Sequence, residues 1–519
     1  MSDSESEFKF MKPGEIRTRF APSPTGSLHI GTSRTCLFNF LFTRKNQGVF
    51  VLRIEDTDTE RSKIEYEKDI MESLKWLGIE WDEGPDRGGN YGPYRQRERL
   101  DIYEKYLKQL LKEKKAYYCF CSQEDLEARR QYLMSIGKTP IYDGKCSTLS
   151  ESEIKKNIAQ GKKSVIRFRT PLKKIVFEDL IREKVEFDTV LIGDFVIAKN
   201  LNYPLYNFSC TIDDFEMKIS HVIRGEDHIS NTPKQILIQE ALGFPSPKYA
   251  HLSLILAPDR TKLSKRHGVV SVNDFKKLGY LPEALVNFIA FLGWNPGNER
   301  EIYSLASLIK EFSLERVQKP GAIFNMKRLD FLNGFYIRQK PIDHLTRECL
   351  PYLIEADLLK EKGGEGFETP EFEIKETGEI IDFNVLQRII VSYQERLKKL
   401  SEISELTDFF FKDKLEYKKE LLRWKNQTDS DILASLDRLE EVLSKIEKEN
   451  WQRQELEKNL LAETEKPPQL GDRGYLLWPL RVALTGKEAS SGPFEIAETL
   501  GKEKTLKRIK QAKELITNK

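Results

Sequence analysis

The sequence predicts an α/β fold with a parallel sheet, followed by a long helical region. Three observations support this prediction. Between Ile16 and about Lys115, short apolar runs alternate with amphipathic stretches, as in a doubly wound parallel sheet. A turn rich in glycine and proline separates the first apolar run from the first helical stretch. Beyond Asn384, Leu, Lys and Glu dominate and strand patterns are almost absent, which indicates an all-α C-terminal part.

The first part of the chain predicts the order strand, turn, helix, strand and two helices. Arg17 to Phe20 is the first buried strand. The elements expected after it are a helix, a strand and two amphipathic helices, at residues 33–46, 49–54, 64–77 and 98–113. Ligands of parallel sheets bind at the carboxyl ends of the strands. The turn after Phe20 and the carboxylate of Glu55 are therefore expected to face a ligand.

Composition changes along the chain predict its division into units. The expected units are a disordered leader (residues 1–15), the first half of the sheet domain (16–116), an α+β insertion (117–205), the second half of the sheet domain (206–260), a loop with helices (261–340) and a helical region (341–519). Within the insertion, residues 189–197 predict a strand. Residues 361–378, rich in Glu, Gly and Lys, predict a linker or polar insertion.

Composition limits the classes of protein that fit. A chain of 519 residues needs several structural units, and 39% hydrophobic residues are sufficient for globular cores. The net charge of +2 does not indicate a nucleic-acid binder, so contacts with RNA would depend on local basic patches. Six cysteines do not form a disulfide framework. With no apolar secretory segment and no run of about 18 apolar residues, we expect a cytoplasmic protein.

The turn at residues 19–32 has the chemistry of a nucleotide-binding segment. Its two prolines stiffen the backbone, while Gly26 and Gly31 leave room where a Cβ would collide with a ligand. His29 and Thr32 supply side-chain hydrogen bonds beside the free N–H groups of a helix start, where an anion is favoured.

A second segment, Lys262-Leu-Ser-Lys-Arg266, places positive charge on a short loop. Lys262, Lys265 and Arg266, with Ser264 among them, can stabilise the charge of a leaving pyrophosphate. A solvated run of cations is the ordinary alternative. The preceding residues 258–261 give the loop the character of a turn, which favours the functional interpretation.

These two segments resemble the signature motifs of class I aminoacyl-tRNA synthetases. Residues 50–58 (Phe-Val-Leu-Arg-Ile-Glu-Asp-Thr-Asp) and 222–228 (Val-Ile-Arg-Gly-Glu-Asp-His) narrow the resemblance to the bacterial glutamyl-tRNA synthetases. The first signature, which in this family is called the HIGH motif, corresponds here to Pro22, Ser23, Pro24, Thr25, Gly26, Ser27, Leu28, His29, Ile30, Gly31 and Thr32. Thr32 stands where the general signature has a second histidine, a variation that the glutamate enzymes often show.

The resemblance implies a glutamate–tRNA ligase with a class I Rossmann-like catalytic domain. Such an enzyme activates L-glutamate with ATP to glutamyl-adenylate and then transfers it to the 3′-terminal adenosine of tRNA(Glu). The implied partners are tRNA(Glu), L-glutamate and ATP with Mg²⁺, and no DNA or membrane is implied. The insertion would bind the acceptor end, the helical region would bind the anticodon, and a monomer is expected.

A pocket for glutamate needs cations for two carboxylates and an anion for the ammonium. Arg19 and Arg224 have the bidentate geometry that suits carboxylates, and Glu55 can pair with the ammonium. By resemblance, the glutamate-binding positions are Arg19, Ala21, Ser23, Glu55, Tyr206 and Arg224. The alternative is that Arg19 and Glu55 simply neutralise each other, or their neighbours, across the strand ends. The sequence leaves open which arginine takes the side-chain carboxylate.

The first chemical step needs no general base, because the substrate carboxylate is itself the nucleophile. His29, Lys262 and Lys265 are predicted to stabilise phosphoryl charge as catalytic residues. The predicted ATP-binding positions are His29, Gly31, Thr32, Asp227, Lys262, Ser264, Lys265 and Arg266.

A metal site and an RNA surface are less well defined by the sequence. Cys119, Cys121 and Cys146 have the spacing of a zinc knuckle found in some members of the family, but Thr148 at the fourth position is a poor zinc ligand. Loss of the metal with retained thiols is the alternative. Arg396 and Arg481 are candidates for tRNA contacts in the helical region.

Four other interpretations compete with this one. A short glutamate-activating paralogue that modifies a tRNA base lacks the helical tail. A glutaminyl-tRNA synthetase would end in β-barrels and is also disfavoured by the paired arginines. Small nucleotidyltransferases share a similar turn but do not need 519 residues. A non-catalytic tRNA-binding protein would be expected to lose His29 or the loop at Lys262, and both are present.

Overall fold

The computed structural model describes residues 15–362, 370–466 and 472–517. These residues form two compact units. The first comprises the chain up to residue 276 together with residues 282–329, and the second comprises residues 277–281 and the chain from residue 330 onward. Apart from Glu15, the predicted leader lies outside the described residues.

The first unit is built on a parallel pair of strands covered by a helix. Its first elements are β1, α1, β2, α2 and α3, at Arg17–Phe20, Ile30–Lys45, Val49–Leu52, Ile64–Trp76 and Leu100–Lys112. β1 pairs with β2 in parallel, and all four residues of β1 are buried. α1 buries an apolar surface that includes Leu37, Phe38 and Leu41. The observed order of elements agrees with the order predicted from hydrophobic periodicity.

The segment predicted as an insertion contains strands and two short helices. They are β3 (Ala116–Cys119), α4 (Gln123–Ser135), α5 (Glu151–Ala159), β4 (Val165–Phe168), β5 (Lys174–Asp179), β6 (Glu183–Asp188), β7 (Phe195–Asn200) and β8 (Tyr203–Pro204). Strands β3, β4, β7 and β8 form an antiparallel sheet, and β5 and β6 form a hairpin. The predicted strand at residues 189–197 is wrong in its first half, which is a 3₁₀ turn. Gly193, at φ 61°, breaks the extended backbone there.

Further strands form a separate sheet, which is parallel in part. The elements that follow are α6 (Tyr206–Glu216), β9 (His221–Gly225), α7 (Thr232–Leu242), β10 (Lys248–Leu252), β11 (Ile255–Leu256), α8 (Val272–Lys277), α9 (Pro282–Ala290), α10 (Leu305–Glu311) and β12 (Ala322–Ile323). β9 pairs with β10 in parallel, and β10 also pairs with β5. The amide of Ser220 donates to the carbonyl of Arg17 at 2.9 Å and links β9 to β1. The carboxyl ends of β1, β2 and β9 therefore meet at one edge.

The second unit is mainly helical. Its elements are α11 (Met326–Gln339), α12 (Ile342–Glu355), β13 (Leu359–Lys362), β14 (Glu371–Ile374), β15 (Ile380–Asp382), α13 (Phe383–Val391), α14 (Glu402–Thr407), α15 (Asp429–Ser444), α16 (Arg453–Thr464), α17 (Gly474–Thr485) and α18 (Pro493–Thr517). α11 begins in the first unit and continues into the second. α18 is kinked at Gly501, where φ is 77°. From Phe383 onward, the described residues form helices and turns, as predicted.

The linker predicted at residues 361–378 needs correction. Its described residues belong to an antiparallel sheet of β13, β14 and β15, and residues 363–369 lie outside the described part of the chain. Phe372 and Ile374 alternate with partly exposed residues, so β14 buries one face. The signal for this strand was the alternation of two apolar residues, Phe372 and Ile374, with charged ones. Because so many charged residues surround these two, the signal was weak.

Over the described ranges, no helix has both the length and the apolar character needed to cross a lipid bilayer.

Candidate active site

A cavity of about 420 Å³ lies at the carboxyl ends of the parallel strands, entirely within the first unit. Its wall is formed by the ends of β1, β2 and β9, the start of α1, the start of α6 and the segment after β10. The predicted site residues that line it are Arg19, Ala21, Pro22, Ser23, His29, Gly31, Thr32, Glu55, Tyr206, Arg224, Asp227 and Lys262. The fold thus brings the six residues predicted to bind glutamate to one cavity.

One side of this cavity contains a buried chain of alternating charges. Arg19 donates through Nε to Oδ1 of Asp214 at 3.1 Å, and Nη1 of Arg53 donates to the same oxygen at 2.7 Å. Nη2 of Arg53 then donates to Oε1 of Glu55 at 3.0 Å. Arg19 and Glu55 therefore do not pair directly, but each pairs with a neighbouring side chain, which the alternative considered from the sequence also allowed. Each is compensated by a residue that the sequence analysis did not select.

Burial and these partners act in opposite directions on the two carboxyl groups. Burial raises the pKa of Glu55, and the neighbouring Arg53 offsets only part of the rise. Burial also acts to raise the pKa of Asp214, but Arg19 and Arg53 outweigh it, so the pKa is lowered. A signal for both missed residues exists in the sequence: Arg53 interrupts an apolar strand and Asp214 ends a helix segment, and buried charges need partners.

The other side of the cavity is held by neutral groups around Arg224. Its Nη1 donates to the hydroxyl of Tyr206 at 3.4 Å, and that hydroxyl lies 3.0 Å from Nδ1 of His228. Burial, followed by the charge of Arg224, lowers the pKa of His228 to about 4. At neutral pH the imidazole is uncharged, so Arg224 supplies the positive charge of this wall.

The start of α1 forms a further part of the wall. His29 is the N-cap residue, with extended backbone, and its Nδ1 accepts from the amide of Gly31 at 3.0 Å. The carboxylate of Asp69 accepts from the amide of Leu28 at 3.1 Å, which fixes the turn before the helix. Because the N-terminal end of a helix favours anions, this edge suits a phosphate group.

The second predicted motif lies on a loop after β11. Nζ of Lys262 is 3.3 Å from Oδ2 of Asp227, and both side chains are at least half exposed. Ser264 lies next to His267, with Oγ 3.2 Å from Nδ1, and Arg266 donates to Nε2 of the same ring at 3.3 Å. Ser264 and Arg266 are not among the residues that line the cavity. The side chain of Lys265 lies outside what the structure describes.

Arg34 is a lining residue that the sequence analysis did not select. It donates to the carbonyl of Leu292 at 3.1 Å and to the carbonyl of Ser253. Burial lowers the pKa of its guanidinium to about 10, and Glu226 opposes this shift. Arg34 is the only charged residue of the first helix before its last turn, and this was the available signal.

The three predicted metal-ligating cysteines come together in the insertion. The sulfur atoms of Cys119, Cys121 and Cys146 lie within 4.8 Å of one another. The hydroxyl of Tyr142 is 3.4 Å from Sγ of Cys119 and 3.5 Å from Sγ of Cys121. Burial raises the pKa of Cys121 to about 11. The arrangement can hold a cation through three thiolates or persist as reduced thiols, and metal analysis distinguishes the two.

The two candidates for RNA contacts lie in the second unit. Arg396 lines a groove of about 480 Å³ together with Arg388 and Arg453. Arg481 is partly buried, and burial followed by the charge of Arg396 lowers its pKa. The two arginines are thus close enough to repel each other, and an anion would relieve that repulsion.

Comparisons with known proteins agree with this geometry. The family model described as the catalytic domain of class I tRNA synthetases (E and Q) matches residues 15–331, and the model of an anticodon binding domain matches residues 344–513. Glutamate–tRNA ligase 1 of Caldicellulosiruptor saccharolyticus is 48% identical over 501 residues, which cover 95% of this chain and 98% of that protein. The chain belongs to the class I glutamate–tRNA ligases.

Other glutamate–tRNA ligases show the same correspondence. The enzyme of Carboxydothermus hydrogenoformans is 45% identical over 95% of this chain and 99% of its own length. A crystal structure of a glutamate–tRNA ligase from Elizabethkingia meningosepticum, in complex with its amino acid, superposes with a TM-score of 0.82 at 34% identity and covers 96% of this chain and 99% of that one. The predicted fold class, a class I catalytic domain with a helical anticodon-binding domain, is confirmed.

Proposed function

We propose that this chain joins L-glutamate to tRNA(Glu) in two steps, through a glutamyl-adenylate made from ATP. The proposal rests on one observation: a single cavity is lined by two arginines, a buried glutamate and the start of a helix. Two guanidinium groups suit a dicarboxylic amino acid, and a helix N-terminus suits a phosphate. The cavity thus has the charges that both reactants of the first step need.

In the proposed pocket, Arg19 and Arg224 bind the carboxylates of glutamate. Glu55 binds the ammonium, and its ion pair with Arg53 favours the charged form against the burial that raises its pKa. Tyr206 adds a hydroxyl, and Ala21 and Ser23 line the turn beside the substrate. The carboxylate of glutamate then attacks the α-phosphorus of ATP, and a bond to pyrophosphate breaks.

The remaining residues act on ATP. His29, Gly31 and Thr32 lie at the helix start and are proposed to contact the phosphates or ribose. Lys262, together with Lys265, Ser264 and Arg266 of the same loop, neutralises the leaving pyrophosphate. Asp227 holds Lys262 at the cavity before ATP binds. Magnesium would enter with ATP as part of that substrate and would neutralise phosphate charge.

The second substrate is tRNA(Glu), whose terminal ribose hydroxyl attacks the adenylate. We assign acceptor-end binding to residues 117–205 and anticodon binding to the helical region at 341–519, with contacts from Arg396 and Arg481. We propose a monomer that acts in the cytoplasm, where its substrates are used.

Charging of purified tRNA(Glu) with labelled glutamate and ATP tests the function directly. We expect aminoacylation with release of pyrophosphate. No charging of tRNA(Glu), with retained fold and with tRNA in excess, would contradict the proposal. A parallel assay with tRNA(Gln) decides whether the enzyme discriminates between the two tRNAs.

Replacement of a loop lysine tests the assignment to ATP. Lys265→Ala should slow adenylate formation in single-turnover experiments about 100-fold or more, because one charge on the leaving pyrophosphate loses its partner. The affinity for glutamate should change much less. Lys277→Ala, at the end of α8, serves as the control. An equal loss of glutamate binding and of adenylate formation would remove Lys265 from its proposed role.

A further inference from the structure

The two arginines of the cavity are held by partners of different charge. Arg19 donates to the carboxylate of Asp214, so its positive charge is compensated before any substrate arrives. Arg224 donates instead to three neutral groups: an imidazole, a threonine hydroxyl and a phenol. Over the described ranges, Arg224 forms no ion pair with a carboxylate. Its charge therefore remains uncompensated although the residue is 96% buried, being 4% exposed.

The imidazole that accepts from Arg224 belongs to His251. Its Nε2 lies 3.2 Å from Nε of the arginine, and its Nδ1 lies 2.6 Å from Oδ2 of Asp179. The side chains of His251 and Asp179 are both fully buried. Because the carboxylate accepts, Nδ1 holds the ring proton and Nε2 presents a lone pair to Arg224. A doubly protonated ring would direct a second N–H at the guanidinium, so only the neutral ring fits.

The protonation state of His251 agrees with this geometry. Burial and the charge of Arg224 lower the pKa of His251, although Asp179 acts in the opposite direction. The ring is also stacked on Tyr249, with an interplanar angle of 13° and centroids 6.1 Å apart. The imidazole is therefore fixed in orientation as well as in charge.

Asp179 is itself fixed by the backbone at the end of β5. Its Oδ1 accepts from the amides of Ile181 and Arg182 at 2.9 and 2.8 Å, and its Oδ2 accepts from the amide of His251 at 3.1 Å. Four donors, with the imidazole included, hold this carboxylate. The hydroxyl of Thr232 completes the arrangement, because it accepts from Nη2 of Arg224 at 2.7 Å and lies 3.1 Å from Nε2 of His251.

We propose that Asp179 and His251 are a positioning pair that holds Arg224 against a neutral acceptor and thereby sets the preference for glutamate over glutamine. This inference rests on the proposed function. The proposal assigns the side-chain carboxylate to Arg224. Glutamate then supplies the missing anion through its side chain, whereas glutamine leaves a buried cation without a counter-charge. The pair acts through Arg224 and does not touch the substrate. An acidic residue in place of His251 would neutralise Arg224 and weaken the preference for glutamate over glutamine.

Two substitutions of His251 separate its contacts. His251→Asn keeps a donor near the position of Nδ1 for Asp179 but removes the acceptor for Arg224. His251→Gln places an amide oxygen near the position of Nε2. With glutamate and glutamine as alternative substrates in tRNA(Glu) charging, we expect His251→Asn to raise KM for glutamate about 10- to 100-fold and to lower the glutamate preference by a similar factor. The KM for ATP and kcat should change less than about 3-fold, and His251→Gln should recover most of the loss.

Each result supports or contradicts the inference. Equal increases in KM for ATP and for glutamate, or an unchanged glutamate preference in His251→Asn, would overturn it. If His251→Asn does not fold, as judged by its melting curve, Thr232→Val removes another neutral acceptor of Arg224 at nearly the same volume and should shift KM in the same direction. His344→Asn, at an exposed position of the second unit, is the control. If the wild-type chain does not attach glutamate to tRNA(Glu), the proposed function fails. If the wild type does attach it, and His251→Asn and Thr232→Val behave like the wild type, only this inference fails.

Discussion

At the scale of single residues, the site consists of buried charges whose partners are specified one by one. Arg53, fully buried, donates to Asp214 and Glu55 at 2.7 and 3.0 Å. Removing one member of such a chain leaves an uncompensated charge, which costs about 3–5 kcal/mol. The chain therefore links the charge state of Glu55 to that of Arg19 through residues that need not touch the substrate.

Replacement of Arg224 tests the proposed pocket. Arg224→Gln should raise KM for glutamate about 100-fold or more, since a charge-assisted bidentate contact is lost, while KM for ATP should change little. Steady-state charging at varied glutamate concentration measures the effect. Arg61→Gln, whose side chain is 75% exposed and pairs with Asp58, is the matched control. An unchanged KM would exclude Arg224 from the pocket.

The buried histidine at the start of β9 predicts a pH dependence of stability. Burial, followed by the charge of Lys248, lowers the pKa of His221 from 6.5 to about 4 in the folded state. As the pH falls, His221 of the unfolded chain therefore binds a proton at a higher pH than His221 of the folded chain. Stability that is fully present above pH 6.5 is lost progressively toward pH 4, by about 3 kcal/mol for this residue.

Urea unfolding between pH 7 and pH 4.5 measures this loss. His221→Phe, which keeps a ring beside Phe42, should make the unfolding free energy fall less steeply with decreasing pH than in the wild type. His344→Phe, an exposed position, should leave the slope unchanged. Identical slopes for wild type and His221→Phe would show that His221 is not the source.

At the scale of elements, the start of α1 and the turn before it form the edge that we assign to ATP. The turn is fixed by the bond from the amide of Leu28 to Asp69 and by the N-cap of His29, so its shape does not depend on a ligand. Gly31 lies in the first turn of the helix and lines the cavity. A Cβ at Gly31 would meet Nδ1 of His29 at 3.4 Å, an ordinary contact, so an alanine there is compatible with the fold.

Gly31→Ala therefore separates binding from folding. The added methyl group should leave the melting temperature unchanged or slightly raised, because alanine favours a helix more than glycine by about 1 kcal/mol. It should raise KM for ATP about 10-fold or more if the phosphates approach this backbone. Gly26→Ala, where a Cβ would have nothing within 4 Å, is the control for stability. Unchanged KM for ATP would place the nucleotide elsewhere.

At the scale of the whole molecule, the two units divide the proposed work. The first contains the cavity, and the second contains the helical region with the groove lined by Arg388, Arg396 and Arg453. With a net charge of only +2, the chain has almost no overall excess of cations for RNA. Binding of tRNA must then depend on such local clusters.

The salt dependence of tRNA binding tests this division. The logarithm of the association constant should fall linearly with the logarithm of salt concentration, and Arg396→Gln should reduce the magnitude of the slope by about 1 if the side chain contacts one phosphate. Filter binding or fluorescence anisotropy with tRNA(Glu) gives the slope. Arg423→Gln, whose side chain pairs with Asp429, is the control. An unchanged slope and affinity would remove Arg396 from the RNA surface.

The sequence by itself determined the order of the main elements and the chemistry of the two motifs. Local periodicity and turn residues are short-range properties, so β1, α1 and the turn with His29 could be predicted before any contact was known. Arg19, Glu55 and Arg224 could be selected too, because charged side chains that follow apolar runs tend to lie at strand ends. The other pocket positions came from the resemblance to the family. The strands at residues 359–382 were missed, since charged neighbours concealed their weak alternation.

Only the tertiary structure decided which charges neutralise each other. Asp214 lies 195 residues from Arg19, and Asp179 lies 72 residues from His251, so sequence spacing contains no information about either pair. Burial changes the pKa of a group and the strength of each contact, and burial is fixed only when distant strands and helices pack. The difference between a compensated Arg19 and an uncompensated Arg224 is thus a property of the folded chain.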